Sequence, residues 1–346
     1  MKIAFDVTPL SDGNNKRGAG IYTEKLKEEL EKRKDITLIP FKKKNSIPNA
    51  DLIHYPYFDP FFLTLPLIKK IPTVVTVHDM IPLVFPNGFK KGFKGEVKWQ
   101  IQKYSLKKAH RIITDSASSK KDIEKIVGVD RNKIDVIYLA PSIKVNKINN
   151  SEKEIIKKKY LLPQKFLLYV GDINYNKNIP NLYRAFSYIK NKIPLVLVGS
   201  SFLNNNLKEK KELDYLEKKL NIEDYLIKIG RVEDIELPYI YSLAFAYIQP
   251  SLYEGFGLPV VDAMLSGCPV IVSKTSSLNE ISARNAVFVN PNQPEDISSG
   301  IDKLISYNKE ELKRMIDEGK KEVEKFSWKK TADETIQSYK NALTKT

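Results

Sequence analysis

Two carboxylates placed around a glycine-rich turn are the most chemically loaded feature of this 346-residue sequence. In SLYEGFGLPVVDAMLSGCPVIVS, residues 251–273, Glu254 stands just before Gly255 and Gly257, and Asp262 lies one turn into the segment that follows. The spacing predicts a strand ending near Pro250, a turn through the two glycines, and a helix with Pro259 in its first turn, where proline's missing N–H is harmless. Gly267 is the predicted C-terminal stop of that helix. A glycine turn opening a helix presents backbone N–H groups and the positive end of the helix dipole, which together suit a phosphate. Without a Cβ, the glycines let the backbone come close to a ligand. A carboxylate beside a diphosphate is unfavourable unless it accepts protons from hydroxyl groups, and sugar hydroxyls supply them. Glu254 and Asp262 therefore read as holding opposite ends of a nucleotide sugar.

A second glycine pair, Gly18 and Gly20 in KRGAGIYTEKL (16–26), follows the first predicted strand and opens a helix. A lone G-x-G after a strand is a weak signal, and it gains weight only if a second phosphate turn faces it. His78 ends the predicted strand TVVTV with Asp79 beside it, at the carboxyl end where α/β sheets place their site residues. It is the candidate reacting-centre histidine, against the alternative of a structural role. His54 ends another strand and carries the same two readings with less weight on function. His110, in a lysine-rich stretch, reads as structural, and Cys268 as a packing residue.

The elements that position these residues follow from alternating apolar runs and amphipathic stretches. Strands are predicted at 3–6, 36–40, 52–55, 73–77, 111–115 and 134–139, with helices between them such as one beginning at Tyr22. After a polar linker from Val145, the pattern restarts at 166–171, 194–199, 226–230, 244–250, 269–273 and 286–289. Strands apolar on both faces belong to sheets covered on both sides, so the fold class is α/β, with two doubly wound Rossmann-like domains at 1–150 and 151–328. Such sheets bind ligands at their strands' carboxyl ends, and a cleft between the domains is the expected site. A closing helix at 329–346 is expected to dock back on the first domain; packing on the second fits its periodicity equally well. Trp328 and Tyr339 are its predicted anchors.

Composition limits the alternatives. With 42% hydrophobic and 29% charged residues the chain is neither disordered nor fibrous. One cysteine excludes an intrachain disulfide framework, and three histidines without an HxxxH pair argue against a histidine metal centre. No apolar run approaches a membrane span, and the N-terminus lacks the order of a secretory signal; a soluble, cytoplasmic protein is expected. The net charge of +15 is uneven: residues 1–150 hold 28 basic and 16 acidic side chains, residues 151–346 hold 29 and 26. Lys90, Lys91, Lys94, Lys98, Lys103, Lys107, Lys108 and Arg111 run along a predicted helix with Trp99 and Tyr104. Solvated lysine-rich faces and an anionic membrane surface are the leading readings of this charge. Nucleic acid is set aside, because no recognition motif accompanies it.

The 251–273 window closely resembles the signature of family 4 retaining glycosyltransferases of the GT-B fold, in which two acids with seven residues between them surround a GFGLP-type turn. The likeness extends to GVDRNKIDVIYLAPS, YVGDINYNKNIPNLYRAF, LIKIGRVEDIELPYIYSLAFAYIQP and FSWKKTADETIQSYKNAL, and so samples nearly the whole chain. VVTVHDMIPLVFP is similar to bacterial mannosyltransferase-like members that build surface polysaccharides. The resemblance implies that Glu254 lies against the donor sugar, that Gly255, Phe256, Gly257 and Leu258 touch sugar hydroxyls and phosphate, and that Asp262 takes the ribose hydroxyls. It places Lys177 on the diphosphate and His78 at the reaction centre from the acceptor side, as hydrogen-bond partner or proton relay. Two departures stand out. Asp262 replaces a usual glutamate, one methylene longer. Asn176 replaces a frequent arginine, with Asp172 nearby, which leaves Arg231 or the first-domain loop to compensate.

The expected reaction is retaining transfer of a sugar from a nucleoside diphosphate to a glycan or lipid-linked acceptor hydroxyl. The donor would be GDP-mannose or a UDP-sugar, with no metal, since no Asp-x-Asp segment is present. Peripheral attachment to the inner face of the cell membrane fits the basic first domain. The rivals are a glycosidase, which also uses two carboxylates but has no need of phosphate turns, a nucleotide-sugar epimerase of the same fold, and a non-catalytic membrane or nucleic-acid binder.

Overall fold

The computed structural model describes residues 1–11, 18–43, 47–145, 148–189, 192–283 and 285–344. The chain forms two compact units, Met1–Ala140 with Phe326–Thr346, and Pro141–Lys325. The division thus falls ahead of the boundary expected at 150, so that Pro141–Ile143 belong to the second unit.

In the first unit, β1 (Lys2–Asp6), β2 (Thr37–Phe41), β3 (Leu52–Tyr55), β4 (Thr73–Thr76), β5 (Arg111–Thr114) and β6 (Ile134–Val136) form one parallel sheet in the order β2-β1-β3-β4-β5-β6. β3, β4 and β5 are buried along their whole length, which is why their sequences show no polar alternation. The first helix, Gly18–Glu31, starts four residues before the expected Tyr22. The closing helix Trp328–Leu343 belongs to this unit: Ser327 caps it, Tyr339 is fully buried with its hydroxyl 2.7 Å from His54 Nδ1, and Thr331 Oγ1 donates to the Tyr138 carbonyl at 2.8 Å.

The second unit repeats the plan with β7 (Leu167–Val170), β8 (Leu195–Val198), β9 (Leu226–Gly230), β10 (Ala246–Gln249), β11 (Val270–Ser273) and β12 (Val287–Val289), in the order β12-β11-β10-β7-β8-β9. Its core joins sheet residues such as Leu167, Leu197 and Ile248 to Leu182 and Phe186 of the helix Ile179–Tyr188 and Ile297 and Ile301 of the helix Pro294–Ile305. The connection reverses direction between β7 and β10, which pair in parallel. At such a switch point the loops leaving the two strands diverge to opposite faces and open a crevice. Among the described residues no helix is long and apolar enough to cross a membrane.

Candidate functional site

The crevice at the β7–β10 switch point gathers the glycine turn and the lysine loop. The chain leaves β10 as Pro250-Ser251-Leu252-Tyr253-Glu254 and turns through Gly255–Gly257 into the helix Leu258–Leu265. Gly257 has φ +107°, outside the range open to other residues, and a Cβ there would sit 2.8 Å from Leu278 Cδ2 and 3.0 Å from Ile281 Cδ1. Backbone and packing both demand glycine. The turn is tied from behind: Ser276 Oγ accepts from the Glu254 amide at 3.0 Å, and Ser277 Oγ lies 2.9 and 2.7 Å from the carbonyls of Glu254 and Phe256. Pro259 falls in the first helical turn and Gly267, at φ +75°, follows the helix end, as the sequence predicts.

Glu254 is buried, yet its carboxylate is fully partnered. Lys177 Nζ donates to Oε1 at 2.8 Å and to Oε2 at 2.9 Å; Gln249 Nε2 and Ser251 Oγ donate to Oε1 at 2.5 and 2.6 Å. Lys177 arrives on the short turn Tyr175–Lys177 after β7, and the pairing spans 77 positions in sequence because β7 and β10 are neighbours. Asn176, where the resemblance leads one to expect arginine, is buried and braces the same strand exit: its Nδ2 donates to the Tyr253 carbonyl at 3.0 Å and its own carbonyl accepts from Leu252 at 2.8 Å. Asp172 accepts from Ser201 Oγ at 2.9 Å. Arg231 is exposed just beyond β9.

Asp262, which the resemblance assigns to ribose hydroxyls, is buried, and both its oxygens accept hydrogen bonds from the start of the second unit. Oδ1 accepts from the Ser142 amide at 2.7 Å and the Ile143 amide at 3.4 Å, and Oδ2 accepts from Ser142 Oγ. Burial pushes its pKa up to about 7, against the pull of these donors.

In the first unit, Gly18 and Gly20 are the first and third residues of the helix Gly18–Glu31, at its amide-rich start; Lys16 and Arg17 lie outside the described residues. His78 follows β4 and sits over Tyr22, edge to face with centroids 4.8 Å apart. Its Nδ1 is 2.7 Å from Asp115 Oδ2 and its Nε2 3.2 Å from the Pro56 carbonyl. The Pro56 carbonyl can only accept, so Nε2 carries hydrogen, and Nδ1 shares a hydrogen with the Asp115 carboxyl. Burial disfavours the charged ring, but the Asp115 carboxylate outweighs it and raises the His78 pKa. His54 is the opposite case: fully buried between Tyr339 and Thr76 hydroxyls, it is held neutral with a pKa pushed down to about 3. His110 accepts from the Thr73 amide, and Cys268 is packed in the core.

Sequence reasoning missed Asp115, Gln249, Ser251 and Ser142. Gln249 and Ser251 carry a readable signal, being polar residues at the carboxyl end of a buried strand. Asp115 ends the stretch RIITD as His78 follows TVVTV, but only the pairing of β4 with β5 makes them neighbours.

Comparison with known proteins agrees with this architecture. The family model described as Glycosyl transferases group 1 matches residues 151–322, and the Glycosyltransferase Family 4 model matches residues 35–140. The O-antigen chain mannosyltransferase B of Escherichia coli is 28% identical over 296 residues, 84% of this chain and 75% of its own. The O-antigen chain mannosyltransferase RfbU of Salmonella typhimurium is 32% identical over 241 residues, 69% of this chain and 62% of its own. Among solved structures, Anabaena Alr3699/HepE in complex with UDP-glucose superposes with a TM-score of 0.76 at 17% identity, covering 98% of this chain and 99% of that one. The fold is GT-B.

Proposed function

Since this chain belongs to the group 1 glycosyl transferases of family 4, we propose that it is a retaining hexosyltransferase whose second unit holds a nucleoside diphosphate sugar at the Gly255–Leu258 turn. The observation that carries the reading is the Lys177–Glu254 pair, clasped at 2.8 and 2.9 Å beside that turn. The bond between the anomeric carbon and the diphosphate oxygen breaks with its electron pair leaving on phosphate, and the acceptor hydroxyl oxygen bonds to that carbon while its proton passes to the departing phosphate. Lys177 and the amides opening the helix Leu258–Leu265 take up the growing negative charge, the part a metal ion fills in other transferases. Glu254, released from Lys177 as the diphosphate arrives, accepts from the sugar's hydroxyls. In the first unit, His78 is assigned to the acceptor side as hydrogen-bond partner or proton relay, exchanging its Pro56 contact at 3.2 Å for the acceptor hydroxyl while Asp115 holds Nδ1, and Gly18 and Gly20 are assigned to backbone contacts with phosphate. Arg231 supplies a second cation.

The relatives named as O-antigen mannosyltransferases favour GDP-mannose as donor and a growing surface glycan, carried on lipid, as acceptor. The neighbour crystallised with UDP-glucose keeps a UDP-sugar as the second reading. A thermal-shift panel of GDP-, UDP-, ADP- and dTDP-sugars tests this directly, since a ligand bound only by the folded protein raises its melting temperature. GDP-mannose is expected to give the largest shift, and the Lys177→Met variant to lose it. A panel without any shift would refute the reading.

A further inference from the structure

The first-unit helix Gly92–Lys107 is apolar on two opposite faces. Its inner face buries Gly95, Trp99, Gln102 and Leu106. At about 100° per residue, Phe93, Val97 and Tyr104 fall within roughly 40° of one another on the other side, and all three are exposed, Phe93 to 84%. A helix packed on one face ordinarily offers polar residues on the other. Here the outward stripe is apolar, flanked by Lys94 and Lys98 on one side and Lys103 and Lys107 on the other, with Glu96 as the helix's single acid.

The segment FFLTLPLIKK (61–70) extends this stripe. Gln102 Oε1 accepts from Thr64 N at 3.0 Å, Thr64 Oγ1 at 2.9 Å and Leu65 N at 3.0 Å, and Ser105 Oγ donates to the Pro66 carbonyl at 2.6 Å. Pinned along the helix in this way, the segment turns Phe62 (63% exposed), Leu63, Leu67 and Ile68 (75% exposed) to solvent. Lys98 Nζ lies 5.3 Å from the Phe62 ring centroid and Lys108 Nζ 4.3 Å from that of Tyr104. Leu67 and Ile68 also line an apolar groove of about 350 Å³ with Ile47 and Tyr55, and Lys69 and Lys70 are at the same groove.

Large apolar side chains held outward by a rigid, hydrogen-bonded scaffold and ringed by ammonium groups are costly in water and match a surface that is anionic outside and hydrocarbon within. We propose that residues 61–70 and the outer face of the helix Gly92–Lys107 form a docking surface for anionic lipid bilayers, with Phe62, Ile68 and Phe93 entering the acyl boundary and the flanking lysines meeting headgroup phosphates. This deepens the reading of a lipid-carried acceptor and rests on it only for its purpose; the surface itself stands on exposure and charge.

The test is flotation of the full chain with phosphatidylcholine vesicles made with and without phosphatidylglycerol. Binding is expected to the anionic vesicles alone, weakened but not abolished by high salt. Ile68→Asp with Phe93→Asp should lower partitioning by about tenfold or more, and Lys94→Gln and Lys98→Gln by about fivefold each. These exposed positions leave melting temperature and nucleotide-sugar thermal shifts as in the parent. Failure of the parent chain to float with anionic vesicles, or equal binding by the double aspartate variant, would overturn the proposal. So would retention of equal affinity for DNA, which would make charge alone the cause. Vesicle binding without any nucleotide-sugar shift would instead defeat the donor reading and leave the surface intact.

Discussion

Replacing Lys177 by methionine removes the cation that the sheet reversal brings beside the glycine turn. Its side chain is 19% exposed and that of Glu254 8%, with contacts of 2.8 and 2.9 Å, so water screens the pair poorly. Breaking a buried pair by deleting one partner costs about 3–5 kcal/mol, because the remaining charge is uncompensated. Glu254 keeps Gln249 at 2.5 Å and Ser251 at 2.6 Å, and hydrogen bonds to a charged group contribute about 1.5–3 kcal/mol each. The expected loss is therefore at the low end, about 3 kcal/mol. Adding Glu254→Gln removes the stranded charge while keeping an oxygen for Gln249 and Ser251, and should recover about 2 kcal/mol as a coupling energy between contacting residues. In turnover, a donor lost from the departing diphosphate costs about 3–4 kcal/mol, or roughly two to three orders of magnitude in rate. Urea unfolding of the two single variants and the double variant reads the first effect, and nucleoside diphosphate release in the presence of acceptor reads the second. A Lys177→Met protein within about 0.5 kcal/mol of its parent, the range of an ordinary surface change, would refute the energetic reasoning. Turnover within a few-fold would remove Lys177 from the leaving group.

Asp262 is held with a pKa near 7 against 3.8 for the free group, so the native state keeps a proton the unfolded chain has released. Its contribution to stability is full below about pH 4 and is lost as pH rises through 7, on the order of 4 kcal/mol across that window. Asp262→Asn, whose amide can donate to Ser142 Oγ, should flatten this part of the stability–pH curve; an unchanged slope between pH 4 and 7 counts against it. The His78 pKa is raised chiefly against burial by Asp115, so the pair's stabilisation is present below pH 6.5 and lost as pH rises through the folded value. Asp115→Asn should move the His78 ring titration in NMR to lower pH and shift the alkaline limb of the rate profile with it; a titration that stays in place excludes Asp115 as the positioning group. Gly257→Ala forces a Cβ into a backbone at φ +107° and against Leu278; a loss of about 1–3 kcal/mol in thermal unfolding is expected, together with weaker nucleotide-sugar protection. A neutral effect would mean the turn is not fixed by that residue.

Much of this molecule is local information. Short apolar runs of four or five residues, bounded by turn signals and recurring between amphipathic stretches, read as strands of covered parallel sheets, and the central ones such as β3, β4 and β5 are buried along their whole length. The turn at 254–267 is likewise written in its glycines and Pro259, whose backbone limits act within a few residues. The uneven lysines of the first half are visible by counting. The sequence alone could not say that Phe93, Val97 and Tyr104 face outward while Trp99 faces inward, because both sides of that helix are apolar.

Which residues meet was decided by strand order, which local periodicity does not encode. Lys177 reaches Glu254 because β7 lies beside β10, and Asp115 reaches His78 because β5 lies beside β4. The resemblance to a known family assigns Asp262 to ribose hydroxyls; that Ser142, 120 residues away, also donates to it is visible only in the fold. The closing helix had two equivalent docking choices by its pattern, and the hydrogen bond between Tyr339 and the buried His54 selects the first unit. Backbone chemistry sets the elements one by one, whereas the partners of a buried charge are fixed only when distant strand ends are brought side by side and every polar group taken out of water must find a mate.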